Sequence, residues 1–258
     1  MDSKEYYSYN KPLGSGKYTF NYVFNGRKGL MYICLFLFIP LVVMLLYILG
    51  SVFFMTKDPV SSVDLNASMH ELLGNNFWVS YILGQVILLI VYLYVIKHHK
   101  LPMFKREKWT LDKVIFLAWF TPLVTIGSSG LLTLVNSLKG TVETTANQVA
   151  VEEMVGSVPL WISFLLIVVL APILEEIAFR GFILFTTKGS IVTYTRVFIS
   201  GIVFSLLHTP TDIISFLVYF IMGFGMAYAV KRTNMLESSI IIHLFNNTVA
   251  FISLAITM

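Results

Sequence analysis

Three short runs in this chain combine side chains able to activate water. They are Glu175-Glu176-x-x-x-Arg180, Phe204-x-x-x-His208 and His243-x-x-x-Asn247, and each lies in or at the end of an apolar segment. A charge at the centre of a membrane-spanning helix costs roughly 2.5–3.5 kcal/mol, so three unpaired ones would cost on the order of 8–10 kcal/mol. Two adjacent carboxylates are therefore better explained by a role than by structure, although a helix end at the interface with a snorkelling Arg180 is the simpler alternative. Glu176 and Arg180 are four residues apart on one helix face and can pair. Glu175 points about 100° away, which leaves it the freer carboxylate and the candidate base. His208 lies twelve residues beyond Arg196, about 18 Å along a helix. His243 and Asn247 share a face, with Asn246 beside them. Each of these singly could be a hydrogen bond between helices.

Together they form a set. Water attack on an amide needs a base, a second group to hold the water, and donors aimed at the oxyanion. Glu175 and His208 suit the first two roles, and His243 with Asn247 suits the third. Glu and His are also zinc ligands, so a metal-activated water held by Glu175, His208 and His243 is the competing chemistry. Spacing does not signal a metal: there is no His-Glu-x-x-His run, and the single cysteine, Cys34, rules out a Cys-based zinc site or an intrachain disulfide.

The elements that must position these residues are membrane helices. The composition is 57% hydrophobic and 12% charged, with mean hydropathy +0.79. That is about half the charge of a soluble domain, so the bilayer is the expected solvent. Seven apolar segments stand near 29–55, 77–96, 114–135, 159–179, 193–208, 212–230 and 239–257. The fifth is short and closed by His208-Thr209-Pro210, and Pro122 falls inside the third. An eighth element is allowed for in the 136–158 loop, where Ala146–Val155 reads at best as an amphipathic surface helix. The expected fold is all-α: a polytopic bundle of about seven transmembrane helices. Residues 1–28 read as a basic tail, 29–150 as N-terminal helices and loops, and 155–258 as the core. The first helix reads as an uncleaved signal anchor.

Charge sets the orientation. With the N-terminus cytoplasmic, segments 1–28, 97–113, 180–196 and 231–238 hold five, six, three and two of the eighteen Lys and Arg, and only Lys57 and Lys139 fall outside. This positive-inside asymmetry explains the net charge of +4 through topology and affinity for anionic lipid, not through nucleic acid. Other polar residues read as bland. Ser128 and Ser129, between Gly127 and Gly130, lack a Gly-x-Ser-x-Gly elbow and read as a flexible helix end. His98 and His99 sit in a basic loop, and Gly223 and Gly225 permit close packing.

The ordered triplet of motifs resembles the CAAX-protease and bacteriocin-processing family, also called the Abi family, of intramembrane proteases. The resemblance covers about residues 155–258. It implies an all-helical bundle in a cell membrane, with a polar cavity opening towards the cytoplasm. It also implies that Glu175 and His208 activate water, that His243 and Asn247 form the oxyanion hole, and that Glu176 and Arg180 support them. Family members are described both as metalloproteases and as glutamate-dependent enzymes without metal. The expected substrate is a peptide or membrane-tethered precursor, such as a bacteriocin or signalling-peptide leader. The rival expectation is a catalytically silent scaffold or immunity protein that binds a partner such as a cell-wall enzyme. A transporter would predict repeat symmetry, and none is present in the sequence.

Overall fold

A computed structural model describes residues 26–55, 65–98, 103–104, 107–140, 144–185 and 192–257. Most of the expected tail at 1–28 lies outside the described residues, as do His99 and parts of the loops. Among the described residues, eight helices follow one another: α1 (Gly26–Met55), α2 (Leu65–His98), α3 (Leu111–Lys139), α4 (Ala146–Ser157), α5 (Leu160–Leu184), α6 (Tyr194–Leu207), α7 (Ile213–Thr233) and α8 (Leu236–Thr257). All except α4 and α6 are long and apolar enough to cross a membrane. The protein is a polytopic helical bundle. The helix at 194–207 has 14 residues, about 21 Å at 1.5 Å per residue, which is short of a hydrocarbon core of about 30 Å. It is therefore too short to cross such a layer alone, and His208 stands at its C-terminal tip.

Two helix boundaries follow from local chemistry. Asp212 caps α7, its carboxylate accepting from the Ser215 and Ile214 N–H groups at 2.8 and 2.7 Å while Ser215 reciprocates. The Ser215 N–H bond first, then that of Ile214, holds this carboxyl below the usual carboxylate range. Thr145 caps α4 by accepting from the Gln148 N–H, a Thr-x-x-Gln signature of a helix start. The 146–157 segment is thus a regular helix, and Val155 packs with Ile167, Val168 and Phe251. It is part of the bundle rather than a bare surface helix. Ser128 and Ser129 also depart from expectation. They lie inside a continuous α3, and both hydroxyls donate to the Thr125 carbonyl.

With lipid outside, helix association rests on close packing. The lipid-facing sides of α1 and α3 carry exposed Leu37, Phe38, Leu46, Trp119 and Ile126, while the core gathers Phe179, Phe182, Phe204, Leu174 and Met226. Small residues set the approach. A Cβ on Gly225 would sit 2.6 Å from Val124, one on Gly223 2.9 Å from the Phe204 ring, and one on Gly84 2.8 Å from the Pro40 Cα. Gly130 has nothing within 4 Å of that position. Gly84→Ala should therefore force α1 and α2 apart and lower the thermal unfolding midpoint in detergent, an overpacking cost of about 1–3 kcal/mol. Gly130→Ala should leave the midpoint unchanged or raise it; equal effects at both sites would contradict this packing.

Candidate active site

The site begins with a proline. Around Leu165–Leu170, α5 is a π-helix, in which the Ala171 N–H bonds back to the Leu166 carbonyl. In that register the Ile167 carbonyl should receive the N–H of residue 172, but Pro172 has none. The orphaned Ile167 carbonyl instead accepts from Asn247 Nδ2 at 2.8 Å. Pro172 thus docks α8 onto α5. This commits one of the two amide N–H groups of Asn247 to structure and leaves the other for a ligand. A second π-turn at Ile177–Gly181 follows the paired glutamates. Such turns recur at functional sites.

Glu176 and Arg180 are fully buried. Arg180 Nη1 donates to Glu176 Oε1 at 2.8 Å and Nη2 to the Gly223 carbonyl at 2.9 Å, and the guanidinium lies 4.4 Å from the Phe204 ring centroid. The same Glu176 oxygen faces His243 Nδ1 at 2.8 Å. A carboxylate paired with Arg180 is ionised and only accepts, so His243 carries its proton on Nδ1 and donates it. The pair is therefore more than mutual neutralisation, because it fixes the orientation of the His243 ring.

His208 is oriented by the end of its own helix. The His208 N–H bonds to the Ser205 carbonyl, three residues back, as the chain leaves α6 through Thr209 at φ +47°. This leaves the Phe204 carbonyl without its helical donor, and His208 Nδ1 supplies one at 2.8 Å. In the neutral ring, the proton on Nδ1 leaves Nε2 bare. The ring also stacks on Tyr219, with centroids 4.6 Å apart, and the Tyr219 hydroxyl is 2.6 Å from Thr145 Oγ1 at the start of α4.

The two Nε2 atoms converge on Glu175 Oε2, at 3.7 Å from His208 and 3.8 Å from His243. These separations are too long for direct hydrogen bonds and suit one bridging water. Glu175 Oε2 is buried without a hydrogen-bond partner in the protein, as expected of a group kept for a ligand. A cavity of about 370 Å³ opens beside it, within the range of small-ligand clefts. Asn147, Gln148 and Met154 of α4 line it, as do Ala171, Asn246 and Asn247. It extends towards the end of the bundle that carries α4, and not towards the end with the basic loops.

All six residues of the sequence reading thus meet in one place, and Asn246 also borders the cavity. Glu175, His208 and His243 face one another, Glu176 and Arg180 lie behind His243, and Asn247 stands one turn further along α8. Pro172, Tyr219, Gly223 and Asn147 were not singled out for this site. Of these, only Asn147 had a local signal, through the Thr145-x-x-Gln148 cap beside it. His98 stacks on Tyr94, away from the cluster.

Zinc was the cofactor to consider. Its donors would be Glu175 Oε2 and the two Nε2 atoms. A tetrahedral ion with bonds of about 2.0–2.1 Å needs donors about 3.4 Å apart, and the measured separations are longer. Among the described residues, no three His, Cys, Asp or Glu side chains are arranged to hold a metal ion. The donor chemistry suits zinc; the spacing as it stands does not.

The fold and site define a class: a multi-pass membrane protein with a cluster of ionisable side chains enclosed by its helices. Residues 157–249 match the family described as Rce1-like, type II CAAX prenyl endopeptidase Rce1-like. That stretch, about a third of the chain, is similar to this family, and the likeness supports an intramembrane protease function in general. No curated protein and no solved structure matches the chain.

Arg180→Leu would leave the Glu176 charge buried without its partner, at a cost of about 3–5 kcal/mol. The thermal midpoint in detergent and the protein level in membranes should both fall sharply. An unchanged midpoint would show that Glu176 does not depend on Arg180.

Proposed function

We propose that this protein is a glutamate-dependent intramembrane endopeptidase that hydrolyses a peptide bond in a peptide or a membrane-tethered precursor. The observation that carries this reading is the convergence of His208 Nε2 and His243 Nε2 on the unpartnered Glu175 Oε2. In this mechanism a water donates its two hydrogens to Glu175 and His208. Glu175 takes one proton as the water oxygen attacks the carbonyl carbon, and later delivers it to the leaving amine.

The oxyanion is received by the free N–H of Asn247 and by His243. With its Nδ1 proton given to Glu176, His243 donates from Nε2 only when the ring carries both protons, and the ionised Glu176 stabilises that imidazolium, as a buried carboxylate does in a hydrolytic triad. Glu175, Glu176, Arg180 and a protonated His243 together sum to zero charge. Every step uses a group of the chain, so the activity should survive zinc chelation.

The test compares membranes from cells producing wild-type protein, Glu175→Gln or His208→Ala. Mass spectrometry of their peptides should find new termini with the wild type only, at equal protein levels and unchanged thermal midpoints. Loss of general base catalysis alone removes a factor of about 10²–10⁴. Should both variants yield the wild-type termini or keep full function in cells, the protease reading is wrong and the silent partner-binding scaffold is favoured. Loss of cleavage on chelation, with restoration by zinc, would replace this mechanism with a metal-dependent one.

A further inference from the structure

We infer that Tyr219 is a positioning residue of this site: fastened by its hydroxyl to the start of α4, its ring holds the His208 imidazole in the orientation that turns Nε2 towards Glu175. This rests on the hydrolytic reading of the site. It adds a residue that is neither charged nor part of the three motifs.

His208 needs such support. The Nδ1 bond to the Phe204 carbonyl anchors one corner of the ring. The Cβ–Cγ torsion of a histidine is broad, and a hydrogen bond tolerates a range of angles. Glu175 Oε2 stands 3.7 Å from Nε2, so a swing of the ring by about 1 Å would spoil the geometry of a shared water.

Two aromatic rings restrict that swing. Phe204 packs on the imidazole with centroids 4.1 Å apart, and Tyr219 lies nearly parallel to it at 4.6 Å and 27°. Phe204 belongs to the same helix as His208. Tyr219 belongs to α7, so it ties the imidazole to a second element. Along α7, contacts on both sides of Tyr219 hold it there. The Phe216 carbonyl accepts from Ser205 Oγ at 2.7 Å, and Gly223 makes room for Phe204. A Cβ on Gly201 would meet the Phe224 backbone nitrogen at 3.2 Å, so α6 and α7 stay close beyond that point.

The hydroxyl makes the second connection. A buried tyrosine needs a partner for its O–H, and any nearby backbone carbonyl would serve. Here the partner is Thr145 Oγ1 at 2.6 Å, across 74 positions of sequence. Thr145 is buried, and the same oxygen accepts the Gln148 N–H that starts α4. A path therefore runs from the α4 cap through the Tyr219 hydroxyl and ring to His208. Tyr219 lines the cavity together with Asn147 and Gln148 of α4, so a peptide seated there touches the helix whose cap steadies the ring. That helix precedes the stretch at 157–249 that matches the family.

Phenylalanine at this position keeps the stacking and loses the anchor, whereas leucine loses both. The readout is the rate at which Glu175-dependent peptide termini appear in membranes at equal protein levels. Tyr219→Leu should lower it about 10²-fold, the effect of a misplacement of about 1 Å. Tyr219→Phe should lower it by up to about tenfold, the loss of one hydrogen bond, with the thermal midpoint near that of the wild type. Thr145→Val should match Tyr219→Phe, and combining the two should add little, since both cut the same contact. Ring ¹⁵N spectra of His208 in lipid nanodiscs give a readout independent of cleavage: one tautomer in the wild type and in Tyr219→Phe, and a mixture in Tyr219→Leu. If Tyr219→Leu fails to fold, Tyr219→Phe and Thr145→Val carry the test. A wild-type rate in Tyr219→Leu, or an unchanged single tautomer there, would overturn the inference. So would wild-type rates in both Tyr219→Phe and Thr145→Val. If Glu175→Gln leaves the termini of the wild type unchanged, the protease reading falls, and the His208 spectra alone decide whether Tyr219 holds the ring.

Discussion

The site depends on one shared atom. Glu176 Oε1 accepts from both Arg180 and His243, each at 2.8 Å, where neither Glu176 nor Arg180 has any solvent exposure. An ion pair at such depth contributes little net stability, because desolvation offsets most of the attraction. Its value is positional. The carboxylate oxygen bonds Arg180 and the His243 ring together, so it holds that ring in one orientation. Arg180 in turn is held by the Gly223 carbonyl and the face of Phe204. The absence of a side chain at Gly223 leaves room for Phe204, and Phe204 packs against His208 and His243. The bundle cannot move any one of these helices without disturbing the others.

Two backbone defects complete the geometry. Pro172 leaves the Ile167 carbonyl open for Asn247, and the early end of α6 leaves the Phe204 carbonyl open for His208. In both cases an unsatisfied carbonyl in a nonaqueous layer, costly if left alone, recruits a side chain that the chemistry also needs. The groups of the proposed site are thus fixed by the same requirement that keeps membrane helices regular everywhere else.

The sequence carried most of the fold because hydropathy and basic-residue counts report directly on the bilayer. It also carried the residues that meet at the candidate site, since Glu175, Glu176, Arg180, His208, His243 and Asn247 are conspicuous against apolar helices. It was less clear about relations between helices. The pairing of Glu176 with Arg180 is local and readable at a spacing of four. The bond from His243 to Glu176 spans 67 positions, and no local pattern signals it. The helix at 146–157 looked peripheral because its apolar stripe is weak; its contribution lies in lining the cavity, which only the packed bundle reveals.

The central claim is that two imidazole rings turn defined nitrogens towards Glu175. The ¹⁵N resonances of His208 in the full chain, ring-labelled and held in lipid nanodiscs, test it most directly. A proton on Nδ1 and a bare Nε2 is the predicted result, the state able to share a water with Glu175. A neutral ring protonated on Nε2 with Nδ1 bare would contradict it, since no lone pair would then face the water.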